Sequence, residues 1–152
     1  MLEMLNKRYM PEETQDQSNT NGTDLKTQLG RLYSYAKTKL GIKSTPKLIL
    51  VNDRENAKKG LAGYTGNYDP ATKTIKLYIT DRFITDIVKS FMHELVHHYQ
   101  LENGILCQSQ PSVGHYAQTD PTLRKCEEEA FLKSCLLVRD YQDELRYGKI
   151  YE

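Results

Sequence analysis

The sequence predicts an α+β domain in which one small, mostly antiparallel sheet packs on helices. Three observations carry that expectation. Apolar residues recur at helical spacing over 25–40 and again from about Asp81 to Glu102. Between these stretches lie a short unbroken apolar run and a cleanly alternating one, the mark of strands. A strong helix start then stands at Asp120-Pro121. The order is helix, strand, hairpin, helix, loop, helix.

Each element has its own signal. Asp24 suits an N-cap; Leu25, Leu29, Leu32 and Ala36 follow at helical spacing to Leu40, and Gly41 supplies the stop. Leu48-Ile49-Leu50-Val51 is a continuous apolar run, which suits a strand covered on both faces. From Thr74 to Thr80 the chain alternates, with Ile75, Leu77 and Ile79 on one side and Lys76 and Tyr78 on the other. The Gly- and Tyr-rich stretch Leu61 to Tyr68 joins it through Asp69-Pro70-Ala71-Thr72, a hairpin signal with Pro70 second in the turn. In the second long helix Ile84, Val88, Phe91, Leu95 and Tyr99 form one stripe, and Asn103-Gly104 ends it. An irregular stretch, 103–119, carries Gly104, Pro111 and Gly114; a loop of that length in a compact domain is usually functional or disordered. The last helix can run to Tyr147, where Gly148 stops it.

At 152 residues the chain fits one domain. Residues 11–23 hold no large apolar side chain, so 1–23 is expected to be a flexible arm ahead of a folded domain at 24–152. Lys and Arg (21) nearly balance Asp and Glu (20), which leaves no broad electrostatic footprint for nucleic acid. No apolar run approaches the roughly 20 residues that cross a bilayer, and Met1 to Met10 lacks the continuous apolar core of a signal peptide. Three cysteines (Cys107, Cys126 and Cys135), none in a C-x-x-C pair, read as reduced thiols in a cytoplasmic protein.

The chemistry concentrates in His93-Glu94-Leu95-Val96-His97. Residues four apart stand on one helix face, so both imidazoles can aim a nitrogen at one point about 2 Å away, as zinc requires. Glu94 lies one residue round the helix, where a carboxylate can take a proton from zinc-bound water and pass it to a leaving amine. Zinc supplies the other half by acidifying that water and polarising a carbonyl. H-E-x-x-H fixes only three residues, and its helical context strengthens it: three of the chain's four histidines crowd into this turn. His98 falls off the shared face and reads as a hydrogen-bonding surface histidine.

A catalytic zinc site usually takes three protein ligands. Glu127, Glu128 and Glu129 on the last helix offer a third, as do His115 and Asp120 in the loop. Glu127 shares a face with Ala130, Phe131 and Ser134, which looks inward; Glu128 aligns with Leu132 and Cys135. Separation in sequence does not choose among them. For oxyanion stabilisation the candidates are His115 and Tyr116, with Arg124 behind them. Tyr64 and Tyr68, near the expected edge strand, could line a cleft but more simply cover the sheet. Cys126 suits a small buried position.

The run His93 to Gln100 followed by Glu127-Glu128-Glu129-Ala130-Phe131 resembles the gluzincin branch of the zincin-like metallopeptidases. The resemblance implies a zinc peptidase with Glu127 as third ligand and Glu129-Ala130 as the following pair. It also implies an edge strand that binds a peptide or protein substrate in extended form. The layout matches over roughly 45–135, and short metallopeptidases of tailed bacteriophages look similar. One departure is Phe131, where some gluzincins carry an acidic residue supporting a zinc histidine; Glu129 or a backbone carbonyl would have to serve instead. Two other readings stand beside this one. The chain could resemble the SprT-type proteases that act on DNA-bound proteins, which its balanced charge disfavours. It could also be a zincin-like structural or binding part, as in a phage particle, which would have no use for Glu94.

Overall fold

The computed structural model describes residues 24–106 and 120–148. The expected arm at 1–23, most of the long loop, and with it Cys107, His115 and Tyr116, lie outside the described residues. The fold is α+β: helices pack against one face of a three-stranded sheet.

Helix α1 (Leu25–Leu40) forms between the caps the sequence announces. The Asp24 carboxylate accepts the Thr27 N–H at 2.8 Å, and Gly41, at φ 71°, returns its N–H to the Lys37 carbonyl. Its buried stripe is the one expected: Leu25, Leu29, Leu32 and Ala36. Strand β1 (Lys47–Val51) leads into a short helix α2 (Arg54–Lys58) and a 3-10 turn (Gly60–Ala62). The hairpin follows as β2 (Gly66–Asp69) and β3 (Thr74–Tyr78), with Asp69 accepting the Ala71 N–H inside the turn.

Two expectations about the sheet need correction. It is mixed rather than mostly antiparallel: the strand order is β1-β3-β2, with β1 parallel to β3 and β2 antiparallel to it. The chain leaving β1 enters the sheet at its far edge, and the hairpin returns β3 between the two. Strand β1 is therefore an edge strand, and it is not covered on both faces. Leu50 is buried, but Ile49 points to the open face and is exposed. The alternating strand β3 takes the centre, with Ile75, Leu77 and Ile79 fully buried on the side that carries the helices.

Helix α3 (Ile84–Glu102) starts three residues later than the expected Asp81. Asp81 adopts φ 57° and pairs with Arg54 at 2.6 Å, so the chain still turns there. Once started, α3 runs between the sheet and α4 (Pro121–Tyr147) and is covered on most sides: ten of its residues are buried, including Glu94, His97, His98 and Gln100. Helix α4 begins as predicted, with the Asp120 carboxylate accepting the Thr122 and Leu123 N–H groups and Pro121 in the first turn, and Gly148 ends it. Among the described residues no helix is long and apolar enough to cross a membrane.

Candidate metal centre

His93 and His97 stand one turn apart on α3, and their rings converge, with centroids 4.9 Å apart. Glu127 arrives from α4. Its Oε1 lies 2.6 Å from His93 Nε2 and 3.2 Å from His97 Nε2, so one carboxylate oxygen touches both imidazoles. Its α4 neighbours Ala130 and Ser134 are buried, as the sequence pattern suggested, but Phe131, expected on the same inward face, is exposed at its edge. Burial alone would raise the carboxyl of Glu127; hydrogen bonds from the two histidines outweigh it and hold the pKa down at about 2. For His97, burial disfavours the charged ring. Contact with Glu127 and the nearby charge of Glu94 outweigh that and raise its proton affinity.

Glu94 is buried beside this cluster, and His93, Glu94 and His97 bring ligand-capable atoms within 4.8 Å of one another. The two carboxylates differ in their contacts. Glu127 touches both rings, whereas Glu94 Oε2 is buried with no hydrogen-bond partner. Burial pushes the Glu94 carboxyl up, against the lowering influence of the two histidines. A buried oxygen without a partner is costly unless something occupies its lone pairs, so the site suits a proton-bearing ligand at that point. Strand β2 closes over this carboxylate at Gly66. A Cβ there would stand 3.3 Å from Glu94 Cγ and from Leu77 Cδ2, a closeness that glycine avoids.

A residue to which the sequence assigned no role sets the tautomer of His97. Gln100 lies three residues on, on the adjoining turn, and its Oε1 sits 2.8 Å from His97 Nδ1. Its amide nitrogen donates to the Cys126 carbonyl at 2.9 Å and to Glu129 Oε1 at 2.8 Å. Both of those partners are acceptors, so the amide cannot flip, and its oxygen must accept from Nδ1–H. A neutral His97 ring then has its lone pair on Nε2, the nitrogen a cation would take; without a cation, a proton on Nε2 makes the contact with Glu127. Glu129 thus supports the site, as the sequence allowed, but through Gln100. Phe131, where an acidic residue was missing, sets its ring edgewise on His93 at 4.8 Å between centroids.

His98 corrects another expectation: it is fully buried, not a surface residue. Its Nδ1 meets the Tyr68 hydroxyl at 2.8 Å and its Nε2 the Ser44 carbonyl at 2.7 Å, which ties α3 to β2 and to the segment after α1. The sheet and α1 enclose the face that lay off the metal stripe. Tyr68 accordingly belongs to the core, while Tyr64 stays exposed and stacks on Tyr78. Two other proposed third ligands, Glu128 and Asp120, are turned elsewhere. Glu128 is exposed and pairs with Arg124 at 3.4 Å, and Asp120 is spent on its cap. Cys126 is buried, as expected; Cys135 is exposed.

Arg82 also escaped the sequence reading. Its guanidinium donates to the Thr65 and Tyr78 carbonyls at 3.1 and 2.9 Å, and to the Asp86 carbonyl and Ser90 Oγ at 3.2 and 2.9 Å. It joins the hairpin to the first turns of α3. A lone arginine between a strand and a helix carries no periodic signal that could have marked it.

Two imidazole nitrogens and one ionised carboxylate oxygen, all facing one another, are the donor set and number that zinc takes in catalytic sites. The unpartnered Glu94 oxygen beside them fits such a centre. Compared with protein-family models, curated proteins and solved structures, the chain matches none.

Proposed function

We propose that the protein is a zinc-dependent metallopeptidase of zincin-like, gluzincin type that hydrolyses peptide bonds in a protein or peptide substrate. His93, His97 and Glu127 would hold the metal. When bound, zinc would lower the pKa of a coordinated water toward neutrality and polarise the scissile carbonyl. The chain's own residues supply the rest. Glu94 is the general base, and burial raises its proton affinity against the lowering influence of His97 and His93. Gln100 and Glu129 hold the His97 ring in the tautomer that leaves Nε2 free. Oxyanion stabilisation by His115 or Tyr116 remains part of the proposal. The exposed thiol of Cys135, in no disulfide, suits a cytoplasmic location.

One observation carries this reading: an acidic side chain from the last helix reaches both histidines beside a buried glutamate whose oxygen has no partner. The test uses the full chain loaded with zinc and a mixed peptide library. The wild type should hold one zinc and cleave. Glu94→Gln should keep the zinc and lose about a hundredfold or more in kcat. Cleavage by that variant at the wild-type rate, or zinc-loaded wild type that hydrolyses nothing, would overturn the assignment.

A further inference from the structure

The space beside His93 and Glu94, about 240 Å³, does not end at the cluster. A second cavity of about 570 Å³ lies against the start of α3, and Thr65, Lys89 and Ser90 line both, so the two adjoin along one groove, with Arg82 bridging Thr65 and Ser90 where they meet. The far wall is the segment between β1 and β2, and it is held in a defined shape. The buried Asn56 accepts the Tyr64 N–H at 2.7 Å and donates to the Tyr64 carbonyl at 2.9 Å. Gly63 passes so near that a Cβ would stand 2.5 Å from the Asn56 carbonyl. Around this cavity Leu61, Tyr64 and Phe83 remain uncovered, at 107%, 67% and 74% exposure. Large apolar side chains gathered at a concavity mark a place that binds something. Charge at the rim is mixed, with Asp86 and Lys89 both lining it, so it favours neither sign.

We propose that this groove is a substrate subsite for a large apolar or aromatic side chain, Leu, Phe or Tyr, of an extended peptide. From Asp86 to His93 the helix rises about 10 Å, which an extended peptide spans in about three residues. The recognised side chain therefore lies about three positions from the bond that is cleaved. The inference rests on the peptidase reading for which end of the groove holds that bond, and on the adjacency of the two cavities for the rest.

Matched peptides carrying Leu, Phe or Ala at each position around a cleaved bond test it. With zinc-loaded wild type, kcat/KM should fall about tenfold or more on change to Ala at one position about three residues away. In Leu61→Asp, and separately in Phe83→Ala, the ratio between the matched peptides should drop toward one. Both side chains are exposed, and a thermal melt checks that each variant folds. The same peptides are also bound, by fluorescence anisotropy, to zinc-loaded Glu94→Gln and to Glu94→Gln carrying Leu61→Asp. A wild-type ratio near one at every such position, or a ratio that both groove variants leave intact, overturns the subsite while hydrolysis stands. If nothing is cleaved, the peptidase reading falls. The groove then stands or falls on whether apolar peptides bind tenfold tighter than their Ala counterparts and lose that margin with Leu61→Asp.

Discussion

Gln100 shows how much a single side chain can decide. Its amide is pinned by two acceptors, so its oxygen dictates which nitrogen of His97 carries the proton. Groups of this kind commonly govern metal affinity by 10- to 100-fold. Gln100→Ala should therefore weaken zinc binding by about that factor in a competition titration against a chelator of known affinity. Glu102 acts on stability instead. Its carboxylate accepts the Lys43 and Ser44 N–H groups at 2.9 and 2.8 Å and the Ser44 hydroxyl at 2.8 Å. Burial would raise its pKa, but these donors outweigh burial and lower it from 4.5. A carboxyl depressed in the folded state stabilises above its unfolded pKa and loses that contribution as pH falls through the folded value. Glu102→Gln should thus be less stable than wild type near neutral pH, with the gap in urea midpoints narrowing below pH 4.5.

At the scale of elements, the position of β2 over α3 is what frames the candidate site. Gly66 lets the strand approach Glu94, the Tyr68 hydroxyl bonds His98 farther along, and Arg82 clasps the near end through carbonyls of β3, α3 and Thr65. Arg82→Ala removes all of its donors at once and leaves no charge behind. It should lower stability by about 1.5–3 kcal/mol in denaturant titrations. Because no metal ligand is touched, zinc content should stay at the wild-type level while kcat/KM on peptides falls. Loss of zinc together with activity would show that the clasp supports α3 itself rather than the strand above it.

Across the whole molecule, the two histidines and Glu127 belong to helices separated by the long loop, so a bound cation would join α3 to α4. A ligand that binds only the folded state stabilises it by mass action, about 2.7 kcal/mol at a hundred times its Kd. Zinc should accordingly raise the melting temperature of the wild type, and a chelator should reverse the rise. Glu127→Ala and His93→Ala should melt at the same temperature with and without zinc. A full zinc shift in Glu127→Ala would remove that residue from the ligand set.

What the sequence determined by itself was local. The caps at Asp24, Gly41, Asp120 and Gly148 bound two helices where expected, because a cap acts within one turn of the chain. The spacing of His93 and His97 put two imidazoles together for the same reason. The alternation of β3 marked Ile75 and Leu77 for burial. Tertiary structure decided the matters that depend on which elements meet. It placed the alternating strand at the sheet centre and the continuous apolar run at an edge, since apolar content does not encode strand order. It buried His98 under the sheet, brought Glu127 rather than Glu128 to the histidines, and gave Gln100 and Arg82 their partners. Periodicity specifies the face of an element, but only packing specifies what that face will touch.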